Sequence, residues 1–351
     1  MKTYPTMNEK QSFNPSDLIL ELTDGEREEI REIVDTLEPI DVANVTDDLL
    51  NQIEIAAKNM PTRLVSALIQ FRRNPNAYGT LLIRNLPTDP QLPETPHDGR
   101  RSQLKESKVS EYTLLLNMLY LGEPIAYLDE KEGLLIQDIY PVAGQEYKQE
   151  NTGSEFLEFH TEDGFHPYKP DYLGLVCLRQ DHDRIAKTAT ACIRNVLHEV
   201  PSTAITILRE NKFHLRLSTS FTKDDSTIRY SEPMPVLSGS LLEPDMCVDY
   251  FLMEGITPEA QWALDILKEA LLRKTISFPL APGDLILIDN RLAAHARTAF
   301  KPRYDGQDRW LQRMFVVQDF RRSAFSRSSG RHICTPLSVE FTLKDTQGCK
   351  E

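Results

Sequence analysis

The amino-acid sequence predicts an α+β fold in which a helical N-terminal layer packs on a β core of jelly-roll or barrel type. Three observations predict it. Apolar residues recur at helical spacing over 16–75, short apolar runs multiply after about Gly133, and one well-capped helix at 257–274 interrupts those runs.

Residues 1–15 are polar and are expected to be mobile. Leu18, Ile19, Leu20 and Leu22 then lead into a charged stretch with Ile30, Ile33, Val34 and Leu37 on one helical face. Further helical patterns cover 46–60 and 61–71, the second with Pro61 in its first turn, where a missing N–H costs little. Residues 79–84 (GTLLIR) read as a strand, 86–108 as a long loop, and 110–121 as a helix. Later strands are expected at 134–136, 156–159, 172–178, 212–217, 285–288 and 310–317. The late helix opens on Thr257-Pro258-Glu259, an N-cap followed by proline and an acid, and its apolar stripe is Trp262, Ile266, Leu267 and Leu271. Many short strands need closure or double-sheet packing to hide their edges, hence the jelly roll or barrel.

No linker or 20–50-residue repeat divides the 351 residues, so 16–351 is expected to form one domain, with the helical layer at 16–75 and the β core at 79–330. The net charge of −13 argues against nucleic acid and anionic membranes as partners and leaves a small molecule as the expected one. Self-association stays open. The N-terminus lacks the apolar core of a signal peptide, and no run approaches the ~18 residues of a spanning helix, so a cytoplasmic protein is expected. Five cysteines (Cys177, Cys192, Cys247, Cys334 and Cys349) form no CxxC pair and are expected as free thiols.

The densest chemical signal is the run Glu158-Phe159-His160-Thr161-Glu162-Asp163-Gly164-Phe165-His166. Two apart on a strand, His160 and Glu162 face the same way, and an imidazole and a carboxylate on one face can grip one metal edge. His295 lies just past the apolar strand Leu285-Ile286-Leu287-Ile288 and supplies a third donor. Two histidines and one carboxylate leave three open positions on octahedral iron, which 2-oxoglutarate and O2 would fill. Arg309, Leu311 and Arg313 share a strand face, and inward arginines on an apolar strand are costly unless they meet anions. Pairing of those arginines with nearby Asp residues stays open. His97, His166, His182, His198 and His214 lack a partner pattern and are expected at the surface or in structural roles.

The runs HTEDGFHPYKPDYLGLVCLR and APGDLILIDNRLAAHARTAFKPRYDGQDRWLQR, in that order, resemble the clavaminate synthase-like Fe(II)/2-oxoglutarate oxygenases. Within that family the chain is most similar to bacterial hydroxylases of free amino acids, especially arginine and lysine, over roughly 79–330. The resemblance implies a distorted double-stranded β-helix (jelly-roll) core with flanking helices. It implies Fe(II) on His160, Glu162 and His295, with 2-oxoglutarate and O2 as co-substrates. Arg309 and Thr188 would hold the distal carboxylate of 2-oxoglutarate, Arg313 the substrate α-carboxylate, and Gln137 with Glu162 the α-amino end. Residues 220–233 (SFTKDDSTIRYSEP) would form a lid.

Arginine hydroxylases of this family often carry two acids where this chain has Asp249 and Phe251. One carboxylate suits a compact ammonium better than a guanidinium. The expected reaction is therefore hydroxylation of a free basic L-amino acid, lysine first, at C-4 in preference to C-3. L-arginine or another free amino acid is the alternative. A non-oxidative metal enzyme on a jelly roll would not need Arg309, and a binding protein that had lost turnover would not need the His-Glu-His set.

Overall fold

The computed structural model describes residues 18–218, 221, 229–327 and 332–337. The N-terminal 1–15 stretch and, within the expected lid, residues 220 and 222–228 lie outside the described residues.

The helical layer consists of α1 (Asp24–Thr36), α2 (Asp47–Ala57) and α3 (Thr62–Arg73), joined later by α4 (Val109–Met118). Each of the first two starts where a threonine side chain accepts a hydrogen bond from the N3 backbone. Thr23 and Glu26 close a full capping box on α1, and Thr46 caps α2. Pro61 is the N-cap of α3 rather than a residue of its first turn.

An eight-stranded sheet lies under these helices. Its strands are β1 (Ile19–Glu21), β2 (Thr80–Arg84), β3 (Glu123–Tyr127), β4 (Ile136–Ile139), β6 (Tyr172–Arg179), β13 (Leu285–Asp289), β15 (Trp310–Val317) and β16 (Ile333–Cys334). They run in the order β1-β2-β13-β6-β15-β3-β16, with β4 also paired to β15. A second, four-stranded sheet runs β12-β7-β14-β5, from β5 (Leu157–His160), β7 (Lys187–Cys192), β12 (Ile276–Pro279) and β14 (Ala293–Arg297).

The large sheet is covered on both faces, which explains its near-continuous apolar strands. Leu81, Ile83, Leu285, Leu287, Met314 and Val316 pack with the helices. The alternate residues Leu82, Ile286, Ile288, Leu173, Leu175 and Phe315 join the core shared with the small sheet. Each buried aliphatic side chain contributes roughly 1.5–3 kcal/mol. The functional side chains lie between the two sheets and come from both of them.

Two expectations need correction. Residues 19–21 are not part of the helical layer: β1 pairs in parallel with β2 and extends the large sheet. On α5 (Pro258–Arg273), Trp262 is 44% exposed, and the buried stripe is Ala260, Ala263, Leu264, Leu267, Ala270 and Leu271. Small residues let α5 approach closely. A Cβ on Gly255 would lie 2.2 Å from the Gln261 nitrogen.

Candidate metal and anion site

His160 ends β5, and β14 places His295 directly opposite it, with ring centroids 4.2 Å apart. Glu162 lies beyond the strand end, so the period-two argument does not position it. Asn290 does: its Oδ1 accepts from the Glu162 backbone N–H at 2.7 Å, and its Nδ2 donates to the Glu162 carbonyl at 3.0 Å and to the Pro170 carbonyl at 2.9 Å. The Glu162 Oε2 then lies 3.4 Å from the His295 Nε2. One donor atom from each of His160, Glu162 and His295 lies within 4.8 Å of the others.

The protonation states favour metal binding. A carbonyl only accepts, so the 2.8 Å contact of His160 Nδ1 with the Glu158 carbonyl makes Nδ1 the donor and leaves Nε2 its lone pair. Burial pushes Glu162 up, but the Arg313 charge and the His295 hydrogen bond outweigh it and hold the carboxyl well below the usual range. Burial and the facing His160 bring His295 down to about 4, so its ring stays neutral. Two imidazoles and an ionised carboxylate are a donor set that fits Fe(II).

Arg313, buried on β15, is already engaged. Its Nη1 donates to Glu162 Oε1 at 3.0 Å, its Nε to Gln137 Oε1 at 3.1 Å, and its Nη2 to Gln137 and to Glu130. Gln137 therefore stands behind Arg313 and outside the lining of the cavity, not at its wall as expected. Glu130, which sequence reasoning missed, does line the cavity. Burial raises its carboxyl, and its Oε2 is buried without a hydrogen-bond partner. Asp163 is raised further by burial and by Glu130, and its Oδ2 is likewise unpartnered. Glu130, Glu162 and Asp163 thus crowd three carboxyl groups around one guanidinium.

The opposite end of the cavity is cationic. Arg309 and Arg297 line it with Thr188, and each arginine is 6% exposed. Among the described residues Arg309 makes no hydrogen bond and no ion pair, so pairing with nearby Asp residues is not what holds it. Among the described residues the Arg297 side chain donates only to the Glu155 carbonyl, at 2.8 Å. Burial and the neighbouring Arg309 pull Arg297 down to about 9, the direction expected of a cation lacking a counter-ion. Sequence reasoning missed Arg297 as well. Its signal was present, since two residues after His295 on a strand it must share that histidine's face.

Asp249 forms an isolated bridge with His160 and lines the cavity. Its Oδ1 accepts from the backbone of Phe251 at 2.9 Å and Leu252 at 2.8 Å, and burial raises its carboxyl. Phe251 points largely to solvent under the guanidinium of Arg216. His166 is structural as expected: it is buried against Tyr127, and its Nδ1 accepts from the Tyr168 backbone at 3.0 Å. In a second cluster, His182 Nε2 bonds Asp305, Asp308 accepts from the backbone of Arg303 and Tyr304, and His182 Nδ1, 3.6 Å from Asp308, has no hydrogen-bond partner among the described residues. No helix is long and apolar enough to cross a membrane among the described residues.

Residues 221–315 match the family model described as taurine catabolism dioxygenase TauD, TfdA family. The L-asparagine oxygenase of Streptomyces coelicolor is 39% identical over 274 residues, 78% of this chain and 81% of that protein. The L-lysine 3-hydroxylase of Catenulispora acidiphila is 35% identical over 325 residues, 91% of this chain and 90% of that protein. A solved structure of asparagine oxygenase with Fe(II), 2S,3S-3-hydroxyasparagine and succinate matches with a TM-score of 0.83 at 35% identity, covering 90% of this chain and 99% of that one. The protein is an enzyme that works with Fe(II), 2-oxoglutarate and O2, and it belongs to the clavaminate synthase-like family of 2-oxoglutarate-dependent amino acid oxygenases.

Proposed function

We propose that this chain hydroxylates an unactivated side-chain carbon of a free basic L-amino acid, with L-lysine as the lead substrate. The observation that carries the co-substrate half of this reading is Arg309, a buried guanidinium that has no counter-ion among the described residues and stands beside the His-Glu-His set. Bound together, iron(II), 2-oxoglutarate and O2 supply the oxidation that turns a C–H into a C–OH and releases succinate and CO2.

The chain's own residues bind and orient. His160, Glu162 and His295 would hold the metal, and Arg309 with Thr188 would hold the distal carboxylate of 2-oxoglutarate. Arg313 would turn a free N–H to the substrate α-carboxylate, with Gln137 fixing its plane. Glu130 and the second oxygen of Glu162 would receive the α-ammonium. Asp249 would receive the terminal group through Oδ2, which makes no hydrogen bond among the described residues. The carboxylates near Arg313 and Asp249 favour a cationic substrate, and positioning of the reacting carbon is the protein's main contribution to rate.

The carbon is the finer question. The lysine 3-hydroxylase aligns over most of the chain, which moves the proposed carbon from C-4 to C-3. Asparagine is the second reading, favoured by the asparagine oxygenase match and by Asp249, whose free oxygen would accept an amide N–H as well as an ammonium. We further read the two facing sheets as one jelly roll, 16–351 as a single domain, and the cytoplasm as its place, since buried free thiols such as Cys177 and Cys192 suit a reducing compartment.

Two experiments test this. A mass-spectrometric screen of free amino acids with Fe(II), 2-oxoglutarate and O2 should give a product one oxygen heavier from lysine. Arginine should react poorly, and a product from asparagine alone would replace lysine. Under anaerobic conditions, Fe(II) and 2-oxoglutarate should give a weak visible charge-transfer band that His160→Ala abolishes. Substrate-dependent succinate formation by His160→Ala would overturn the assignment of the metal ligands.

A further inference from the structure

We propose that Arg297 is a second cation for the distal carboxylate of 2-oxoglutarate, so that the anion end of the site is a cradle of two guanidiniums. The proposal rests on the reading of the site given above and deepens it.

Four observations place Arg297 there. Strand register sets it directly opposite Thr188 across β14 and β7. Its guanidinium carbon lies 5.4 Å from the centroid of the Phe300 ring, and that of Arg309 lies 5.9 Å from the same centroid, so one aromatic ring neighbours both cations. Both side chains are buried, and neither has a carboxylate within ion-pair distance among the described residues. The Arg297 Nε is buried and has no hydrogen-bond partner among the described residues.

Two like charges gathered in a dry wall are costly unless an anion joins them. A carboxylate brings two acceptor oxygens and one negative charge, which answers both the empty N–H groups and the repulsion. A purely structural role for Arg297 would be to strap the 154–155 segment through the Glu155 carbonyl. That segment is already strapped by the Phe300 N–H on the Ser154 carbonyl at 3.0 Å, so the strap does not require a charge. Two cations facing one carboxylate would make the site demand a diacid: a 2-oxo acid without the distal carboxylate should bind poorly, and succinate should be retained after turnover.

The test is a calorimetric titration of metal-free protein with 2-oxoglutarate and with succinate, using wild type, Arg297→Met, Arg297→Lys and Arg309→Met. Loss of a charged donor should weaken both acids about tenfold or more in Arg297→Met. Arg297→Lys should retain most of the affinity. In the iron-loaded enzyme, the preference for 2-oxoglutarate over 2-oxobutyrate should fall by a similar factor in Arg297→Met, with the amino acid KM unchanged. Binding of 2-oxoglutarate by folded Arg297→Met within about twofold of wild type would overturn the proposal. Should Arg297→Met not fold, Arg297→Gln, which keeps a donor for the Glu155 carbonyl, is held to the same criterion. Unchanged binding in Arg309→Met would instead overturn the underlying assignment of the anion site.

Discussion

Replacing Asn290 with alanine separates the metal ligand from the backbone that presents it. The side chain is 2% exposed and makes three hydrogen bonds, to the N–H and carbonyl of Glu162 and to the carbonyl of Pro170. At about 1 kcal/mol net per bond, their loss costs about 3 kcal/mol, and a buried N–H left without an acceptor can add about 1 more. At roughly 2.1 cal/mol/K per residue a chain of 351 residues loses about 1.4 °C of Tm per kcal/mol, so a fall of about 4–5 °C is expected in metal-free protein. Glu162 also loses its fixed backbone, and loss of such support around a metal ligand costs roughly 10–100-fold in metal affinity. The assay is thermal unfolding by circular dichroism, paired with titration of Fe(II) or a redox-inert divalent surrogate. Asn290→Asp keeps the acceptor for the Glu162 N–H but turns a carboxylate towards two carbonyls, and it should lower Tm at least as much. An Asn290→Ala protein with unchanged Tm and metal affinity within about twofold of wild type would show that the Glu162 loop does not depend on this side chain.

Three further outcomes follow from other parts of the molecule. Lys105 is buried between Asp89 at 3.0 Å and Glu111 at 2.6 Å, so Lys105→Met leaves two buried carboxylates and should cost about 3–5 kcal/mol in chemical unfolding. Gly174→Ala would set a Cβ 2.5 Å from the Met118 sulfur, a clash of about 1–3 kcal/mol that a flexible methionine keeps near the lower end, measurable as a fall in Tm. His166 is pulled down to about 3 by burial, then by Arg322, so between about pH 6.5 and 3 the unfolded chain binds a proton that the folded one refuses. Stability should therefore fall on acidification through that window by up to about 1.4 kcal/mol per pH unit. In His166→Gln the denaturation midpoint should change less between pH 6.5 and 5, and an unchanged slope would refute the assignment.

Most of the scaffold was legible because periodicity reports burial directly. The runs at 172–178, 285–288 and 310–317 are continuous rather than alternating, and the structure covers both faces of the sheet they form. Residues 19–21 were misread because a three-residue strand on a sheet edge carries too few positions to display a period. Trp262 was misread because a large apolar residue signals burial by type, while the close helix contact is carried by alanines.

In the site, His160, Glu162, His295, Thr188 and Arg309, all singled out in the sequence, line one cavity. Glu130 was illegible because Asp129-Glu130-Lys131-Glu132 looks like a solvated loop, and only Arg313 on β15 shows what that carboxylate faces. Asn290 was hidden for a different reason. Its partner is 128 residues away in sequence, and a polar residue after an apolar strand looks like an ordinary turn.

The site's two halves are mounted differently. His295 stands on β14, flanked by β5 and β7, and Arg313 stands on β15, flanked by β6 and β4. Asp249 is held by an isolated bridge and the turn after it, and that turn is tied down at both ends, where Val248 bonds Thr161, Met253 pairs with Leu215, and Cys247, Val248 and Met253 are buried. Strands paired on both sides cannot shift without breaking two ladders, whereas the middle of a surface turn can be exchanged while its anchors stay. Redesign for a new amino acid should therefore vary 249–252 and leave Cys247, Val248 and Met253 in place. Oxidative chemistry would then stay constant while the catalogue of substrates is rewritten, and library screening should concentrate its diversity on those four positions.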